Sequence, residues 1–155
     1  YLKMNYKIPI SVLVIIYNNF GNILLLKRAD SPKNLDLWQS VTGSKENSDA
    51  NLIVTACREI YEETKFFATE HQIENLNLIT NFEILPYWKH KYAPNITHNQ
   101  ETAFAFCTDF NQQNPILAQN EHTEFVWLPY KIAAEKCFSP SNKQAILKIA
   151  KLKNF

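Results

Sequence analysis

The 155-residue sequence has only two glycines, three cysteines and one methionine, and these scarcities exclude several protein classes. Two glycines are too few for a collagen-like or glycine-rich low-complexity chain. The cysteines, Cys57, Cys107 and Cys137, are odd in number and have neither CxxC nor zinc-finger spacing. A disulfide framework is therefore disfavoured, and we expect three buried apolar thiols in a reducing cytoplasm.

The chain also lacks an excess of one charge and a long apolar run. Its formal net charge is +1, which predicts no basic surface for nucleic acid or for an anionic membrane. The longest apolar run, residues 12–17, is too short to span a bilayer, and no signal-peptide pattern is present. We expect a cytoplasmic protein forming a single domain, residues 1–155, with a hydrophobic core.

Apolar periodicity divides the chain into strands and helices. An antiparallel pair is predicted where residues 18–21 form a turn between the first two apolar runs. Ser48 and Asp49 are the N-cap candidates of the first helix, whose buried stripe is predicted to contain Ile60 and Phe67. The predicted strands are 8–17, 22–28, 38–43, 76–85, 101–110 and 123–128, and the predicted helices are 50–66, 129–137 and 141–152. Helices placed between strands indicate an α/β domain.

The first helix carries three glutamates on one face. Glu59, Glu62 and Glu63 fall within about 100° of the helix circumference. At an effective dielectric near 20, each neighbouring pair repels by on the order of 3 kcal/mol unless it is fully solvated. Mg²⁺ or Mn²⁺, which favour carboxylate and water ligands, would reverse that repulsion. A solvated face, with Arg58 pairing Glu62 at i,i+4, explains the same residues and stays open at this point.

Residues 43–66 resemble the Nudix box, G-x5-E-x7-R-E-U-x-E-E-x-G-U, where U is apolar. Gly43, Arg58, Glu59, Ile60, Glu62, Glu63 and Phe66 match it in order. Fourteen residues separate Gly43 from Arg58, one more than the family has, so Asp49 occupies the first acidic position only when counted from Gly43. We therefore do not expect Asp49 to bind metal. Lys65 replaces the second glycine, which puts the end of the helix in doubt.

The resemblance implies an α/β/α sandwich with a mixed sheet and a metal-dependent hydrolase acting on a diphosphate. Its implied cofactor is Mg²⁺, with Mn²⁺ possible, and its implied partner is a small-molecule triphosphate. The implied catalytic residues are Arg58, Glu59, Glu62 and Glu63, and the implied metal ligands are Glu59, Glu63 and Glu121. Only the resemblance marks Glu121, because an exposed loop acid is the ordinary reading of its surroundings.

Blocks outside the box, including residues 37–44 and 90–101, are similar to one branch of the family. That branch removes pyrophosphate from 7,8-dihydroneopterin 3′-triphosphate in folate synthesis. The similarity implies phosphate contacts from Lys7 and Arg28 on the first two strands, and a carboxylate, Glu83, facing the amino-pyrimidinone edge. The full implied substrate set is Lys7, Arg28, Thr42, Phe82, Glu83, Ile84, Leu85 and Ser139.

Other readings of these residues remain open. Phe82 and Ile84 could alternate into the core while Glu83 faces water, and Ser139 could only cap the last helix. A nucleoside triphosphate hydrolase such as a dATP hydrolase fits the same motifs. A non-catalytic Nudix-fold binding module is a third possibility, which retention of Arg58 and the glutamates disfavours.

Overall fold

The centre of the fold is a parallel strand pair. We describe residues 5–108 and 114–155 of a computed structural model of the chain. Strand β1, Ile10–Tyr17, pairs along its whole length with strand β6, His98–Cys107. Val12, Val14, Ile15 and Ile16 are at most 1% exposed, as expected when both faces of a strand are covered.

Antiparallel strands complete the sheet on both sides of this pair. Strand β5, Glu74–Glu83, pairs with β6, and β2, Asn22–Arg28, pairs with β1 near Tyr17. Strand β7, His122–Pro129, pairs with the other edge of β2. The expected antiparallel β1–β2 pair is confirmed, and the parallel β1–β6 pair makes the sheet mixed.

Helices cover both faces of the sheet. Helix α1, Leu52–Thr64, packs over Val12, Val14 and Ile16 in one apolar cluster. Helices α2, Tyr130–Lys136, and α3, Pro140–Lys153, pack over Leu13 and Ile15 in a second cluster on the opposite face. The predicted α/β/α sandwich is confirmed, with alternate residues of β1 feeding the two cores.

The single strand predicted for residues 38–43 is wrong, because two short strands occupy this region. Strand β3, Trp38–Gln39, pairs with β2, whereas β4, Val41–Ser44, pairs with β1. Ser40 interrupts them: its N–H donates to Asn142 Oδ1 at 2.8 Å, and its hydroxyl accepts from Asn142 Nδ2 at 2.9 Å. A buried side chain of α3 thus takes over hydrogen bonds that a continuous strand would make.

The predicted bounds, cap and stripe of the first helix need correction. Asn51, rather than Ser48 or Asp49, is the N-cap, and its side chain accepts from the N–H of Val54 at 3.0 Å. The helix ends at Thr64, because Lys65 turns into the left-handed region with φ 63°. That turn buries Phe66 and leaves Phe67 79% exposed, so the prediction for Phe67 is wrong, whereas Ile60 is buried as predicted.

Other predicted bounds shift by a few residues. Strands β5 and β6 begin two and three residues earlier than predicted, and the predicted strand residues 109–110 lie outside the described residues. Two 3₁₀ turns, Glu70–Gln72 and Pro86–Lys91, were not predicted. All three cysteines are free, but only Cys137 is buried, so the expectation for Cys57 and Cys107 is wrong. No helix of the described residues is both long and apolar enough to cross a membrane.

Candidate metal and phosphate site

A glycine on β4 makes room for a glutamate of α1. Gly43 lies opposite Val12 on β1, on the face that α1 covers. A Cβ added to Gly43 would lie 2.0–2.4 Å from the carboxylate atoms of Glu59. No side chain fits there, since carbon atoms in proteins do not approach that closely. Glycine is therefore required at position 43, because the Glu59 carboxylate lies against the sheet where a side chain would be.

Arg58 holds the loop before α1 to the acidic face of the helix. Its guanidinium donates to both Asp49 oxygens, at 3.2 and 2.8 Å, and to the carbonyl of Ser44 at 3.0 Å. It also donates to Glu59 Oε1 at 2.9 Å and to Glu62 Oε2 at 3.2 Å. These bonds hold the pKa of Asp49 well below its usual range. Asp49 thus serves Arg58, and the i,i+4 pairing of Arg58 with Glu62 is present as well.

The carboxylates of Glu59 and Glu63 are buried against the sheet. Glu63 is 2% exposed, and its Oε2 accepts from the N–H of Thr42 at 3.2 Å. Burial, followed by the negative charges of Glu59 and Glu121, raises the pKa of Glu63 well above its usual value. Burial likewise raises the pKa of Glu59 to about 7, although Arg58 opposes that rise. Glu62 is half exposed and pairs with Arg58 at 3.2 Å.

A loop residue brings a further carboxylate to this face. One ligand atom each from Glu63, Glu121 and His122 lie within 4.8 Å of one another. Glu121 is held in place by its backbone, because its N–H donates to Ala118 and its carbonyl accepts from the N–H of Ala29, each at 2.8 Å. A divalent cation fits this group of carboxylates, because it would offset the repulsion that, after burial, raises the pKa of Glu63. Glu59 lies outside this close group and reaches it only through charge.

His122 is a site residue that the sequence analysis missed. It is 2% exposed, its Nδ1 lies 3.7 Å from Glu63 Oε1, and burial lowers its pKa to about 4. Arg28 donates to Gln39 Oε1 at 3.2 Å, which turns the Gln39 amide nitrogen toward His122 Nε2 at 3.4 Å. Since Nε2 faces a donor, the proton belongs on Nδ1, pointing at Glu63. Only its position next to Glu121 in the sequence could have drawn attention to it.

Cations gather beside the carboxylates. Arg28 donates to both oxygens of Asp30, at 2.7 and 2.9 Å, and its guanidinium stacks 4.3 Å from the ring centroid of Trp88. Asp30 also accepts from Trp88 Nε1 and from Lys91 Nζ, each at 3.0 Å. This arrangement fixes the direction of Arg28 and fastens the Pro86–Lys91 turn over it.

Lys7 belongs to the same region but does not lie on a strand, which corrects the prediction. It precedes β1, and its N–H donates to the carbonyl of Lys91 at 2.9 Å. Although the residue as a whole is exposed, desolvation and the nearby Lys91 and Arg28 lower the pKa of its ammonium group. Three cations thus converge where the negative phosphates of a ligand could neutralise them.

Four of the remaining predicted substrate residues lie at or just after the end of the edge strand β5. Phe82 is 38% exposed and Leu85 40% exposed, whereas Ile84 is 5% exposed and packs inward. Glu83 is exposed at the end of β5. Ser139 is the N-cap of α3, so its capping role is confirmed, and its hydroxyl contacts Ser141 Oγ at 2.9 Å.

Comparisons with known proteins place the chain in a family. A family model described as NUDIX domain matches residues 7–149. A Haemophilus influenzae protein named dihydroneopterin triphosphate diphosphatase is 42% identical over 151 residues, which cover 96% of this chain and 91% of that protein. An Escherichia coli K12 protein of the same name is 36% identical over 144 residues, covering 91% of each.

A solved structure agrees. The structure of the Escherichia coli dihydroneopterin triphosphate pyrophosphohydrolase superposes with a TM-score of 0.83 at 34% sequence identity, covering 95% of this chain and 98% of that one. With the family model spanning residues 7–149, the chain belongs to the NUDIX family.

Proposed function

We propose that this chain hydrolyses 7,8-dihydroneopterin 3′-triphosphate to the monophosphate and pyrophosphate, as a single NUDIX hydrolase domain. The observation that carries the proposal is the meeting of Glu63 on α1 with Glu121 from the loop before β7, beside Arg28. Relatives named for this activity, 42% and 36% identical over more than nine-tenths of the chain, support the choice of substrate. The three free thiols support a cytoplasmic setting.

Glu59, Glu63 and Glu121 are the proposed ligands of Mg²⁺, for which Mn²⁺ can substitute. All three offer oxygen atoms, the ligand type that both cations prefer. A cation held there would neutralise charge on the phosphates and lower the pKa of the attacking water. Arg58 holds the Glu59 carboxylate at 2.9 Å, and Glu62, tied to Arg58, supplies further negative charge at the exposed rim.

Lys7 and Arg28 are the proposed phosphate contacts. Arg28 is already oriented by Asp30 and Trp88, so little side-chain entropy remains to be lost on binding. Its Nη1 donates to Gln39, and the Gln39 amide nitrogen faces His122. A phosphate bound by Arg28 would therefore be linked through these side chains to the carboxylates of the metal site. Thr42 and Ser139, with the segment from Phe82 to Leu85, are the proposed contacts to the rest of the substrate.

His122 is the proposed positioning residue for Glu63. Its Nδ1 lies 3.7 Å from Glu63 Oε1, its Nε2 faces the Gln39 amide, and a hydrogen bond formed by closing the Nδ1–Oε1 gap would hold the carboxylate facing Glu121. An imidazole whose Nδ1 carries the proton does not offer that atom to a cation. We therefore assign His122 to the support of a ligand, a role that strongly affects metal sites in general.

The test is a substrate panel. Pyrophosphate release is measured with Mg²⁺ for dihydroneopterin triphosphate, dATP, dGTP and dCTP, and kcat/KM values are compared. The proposal expects the highest value for the pterin. A higher value for dATP would favour the nucleotide hydrolase, and no turnover of any substrate would favour a binding module. Either outcome overturns the proposed function.

A further inference from the structure

A buried carboxylate on β6 takes no part in the metal site. Glu101 is 8% exposed, and Ser141 Oγ, which donates to its Oε1 at 2.7 Å, is the sole hydrogen-bond donor that the described residues give it. Two residues earlier on the strand, Asn99 is 2% exposed, and its Oδ1 has no hydrogen-bond partner. Buried acceptors without partners are uncommon in folded proteins, so the Asn99 oxygen beside the Glu101 carboxylate calls for an explanation.

Strand register puts these acceptors on the face covered by α2 and α3. Glu101 lies opposite Ser11 on β1 and Thr80 on β5, and Asn99 lies opposite Phe82. Ser11 alternates with Val12 and therefore points to the same side as Leu13, which packs in the cluster with α3. The proposed substrate contacts Thr42, opposite Leu13, and Phe82 share this face. Glu83, next to Phe82, points to the other face.

Glu101 is one substrate length away from the phosphate site. Thr42 pairs with Leu13 and Glu101 with Ser11, so their Cα atoms are two residues along and two strands apart, about 12 Å at standard strand spacings. Tyr92 lies within reach of both regions: burial raises the pKa of its phenol, a hydrogen bond with Ser44 and the charge of Arg28 oppose that rise, and the charge of Glu101 adds to it. One extended ligand could reach both Arg28 and Glu101.

The chemistry of the two acceptors selects the ligand edge. An ionised carboxylate and an amide oxygen accept hydrogen bonds only, so the ligand must present N–H donors. The amino-pyrimidinone edge of a pterin has two adjacent donors, a ring N–H and an exocyclic amino group. The corresponding edge of adenine has one amino donor beside an unprotonated ring nitrogen. A carboxylate therefore fits the pterin edge and leaves one of its oxygens facing a lone pair of adenine.

We propose that Glu101, assisted by Asn99, binds the amino-pyrimidinone edge of the substrate and sets the preference for a pterin over adenine. The proposal rests on the proposed function and gives to Glu101 the role that the sequence analysis gave to Glu83. Ser141 orients the carboxylate, and Ser139 contacts Ser141 at 2.9 Å, which connects this edge to the N-terminus of α3.

The test is Glu101→Gln, which keeps the shape and replaces one acceptor by a donor. We expect kcat/KM for dihydroneopterin triphosphate to fall about 10- to 100-fold, the effect of losing one charge-assisted hydrogen bond. We expect the value for dATP to stay or to rise, since the glutamine amide offers one acceptor to the adenine amino group and one donor to its unprotonated ring nitrogen. Binding of unphosphorylated neopterin, followed by its fluorescence, should weaken by the same factor as kcat/KM, and Mn²⁺ affinity should stay at the wild-type value.

Glu83→Gln tests the competing assignment, and Glu101→Asp, which withdraws the carboxylate by one methylene, serves if the first variant does not fold. Equal losses for the pterin and adenine substrates, or a larger loss in Glu83→Gln than in Glu101→Gln, would overturn the proposal. Wild-type values in both Glu101 variants would overturn it as well. The proposed function fails separately, if the wild-type protein does not turn over the pterin substrate.

Discussion

At the scale of single residues, Glu121 is the proposed ligand with the least support from its own surroundings, because it is exposed on a loop. Its removal takes away the carboxylate that the loop before β7 places beside Glu63 and His122. We expect Glu121→Ala to lower kcat tens- to thousands-fold, corresponding to about 2–4 kcal/mol of lost transition-state stabilisation. Steady-state pyrophosphate release with Mg²⁺ measures this loss.

Glu124→Ala is the matched control for that change. Glu124 lies on the adjoining strand, is 58% exposed and pairs with Lys27 at 2.8 Å, away from the carboxylate group. Its replacement removes only a surface ion pair, so kcat is expected to stay at the wild-type value. A silent Glu121→Ala combined with a defective Glu124→Ala would show that another residue supplies the ligand.

The tautomer of His122 gives a second prediction at this scale. Asn and Leu have the same shape, but only Asn places an N–H donor near the position of Nδ1. We expect His122→Leu to lose about 10- to 100-fold in Mn²⁺ affinity, as changes in the supporting groups of metal ligands do, and His122→Asn to recover most of that loss. Isothermal titration with Mn²⁺ measures both variants, and melting curves check that both are folded.

Nitrogen NMR of the metal-free wild-type protein reads the tautomer directly. The hydrogen bonds of Gln39 require a protonated Nδ1 and an unprotonated Nε2. The opposite tautomer, or equal Mn²⁺ affinities in the Asn and Leu variants, would contradict the positioning role.

At the scale of elements, the end of α1 carries backbone strain. Lys65 has φ 63° where the family has glycine. A left-handed L-residue costs roughly 1–2 kcal/mol, and glycine gives back about half of that through its larger unfolded-state entropy. We expect Lys65→Gly to raise the free energy of unfolding by about 0.5–1 kcal/mol. Denaturation by urea measures the change.

Gln144→Gly is the control for Lys65→Gly, because Gln144 is exposed in the interior of α3. In a helix interior, glycine should lower the free energy of unfolding by about 1 kcal/mol. A destabilised Lys65→Gly would mean that the contact of Lys65 Nζ with the Tyr61 ring, at 4.8 Å, outweighs the backbone strain.

An ion pair between Arg58 and Asp49 helps to hold the loop before α1, and its pH dependence can be predicted. The Arg58 guanidinium depresses the folded-state pKa of Asp49 below its unfolded value of 3.8. The stability that the Asp49–Arg58 pair contributes is therefore fully present above the unfolded-state pKa of Asp49 and is lost as pH falls through its folded-state pKa. We expect Asp49→Asn to lower the free energy of unfolding at pH 7 by about 1–3 kcal/mol, as for other hydrogen bonds to charged groups.

The difference between Asp49→Asn and the wild type, measured by urea denaturation, should stay constant from pH 7 to about 4.5 and shrink only below the unfolded pKa of about 3.9. A difference that already shrinks near pH 6 would point to another group. Thr55→Val is a useful comparison, since it removes a hydrogen bond of 2.9 Å from a neutral donor to the same carboxylate. Its effect should be smaller than that of Asp49→Asn.

At the scale of the whole molecule, local patterns predicted the sandwich, and long-range contacts determined what they missed. The β1 run and the spacing from Arg58 to Glu63 are local, so both were predictable. The break at Ser40 depends on Asn142, 102 residues away, and the orientation of His122 depends on Gln39, 83 residues away. No periodicity within a single element contains such pairs.

The same division applies to the site. Gly43 was recognised from its family, but its physical cause, the Glu59 carboxylate lying where a Cβ would be, is a contact between β4 and α1. Asp49 was not expected to bind metal because of the extra residue, and the structure shows that it pairs with Arg58. The prediction that Phe67 is buried with the apolar stripe of α1 was wrong, because the left-handed Lys65 ends the helix and leaves Phe66 buried and Phe67 exposed.

The central claim is that the carboxylates gathered around Glu63 hold the cation needed for pyrophosphate release. The most direct measurement follows pyrophosphate from dihydroneopterin triphosphate in wild-type protein and in Glu63→Gln, with Mg²⁺ and with excess EDTA. We predict one pyrophosphate per substrate in the wild type, loss of turnover in EDTA, recovery when Mg²⁺ is restored, and a loss of about 100-fold or more in a folded Glu63→Gln. Full activity in EDTA, or wild-type kcat in Glu63→Gln, would contradict the claim.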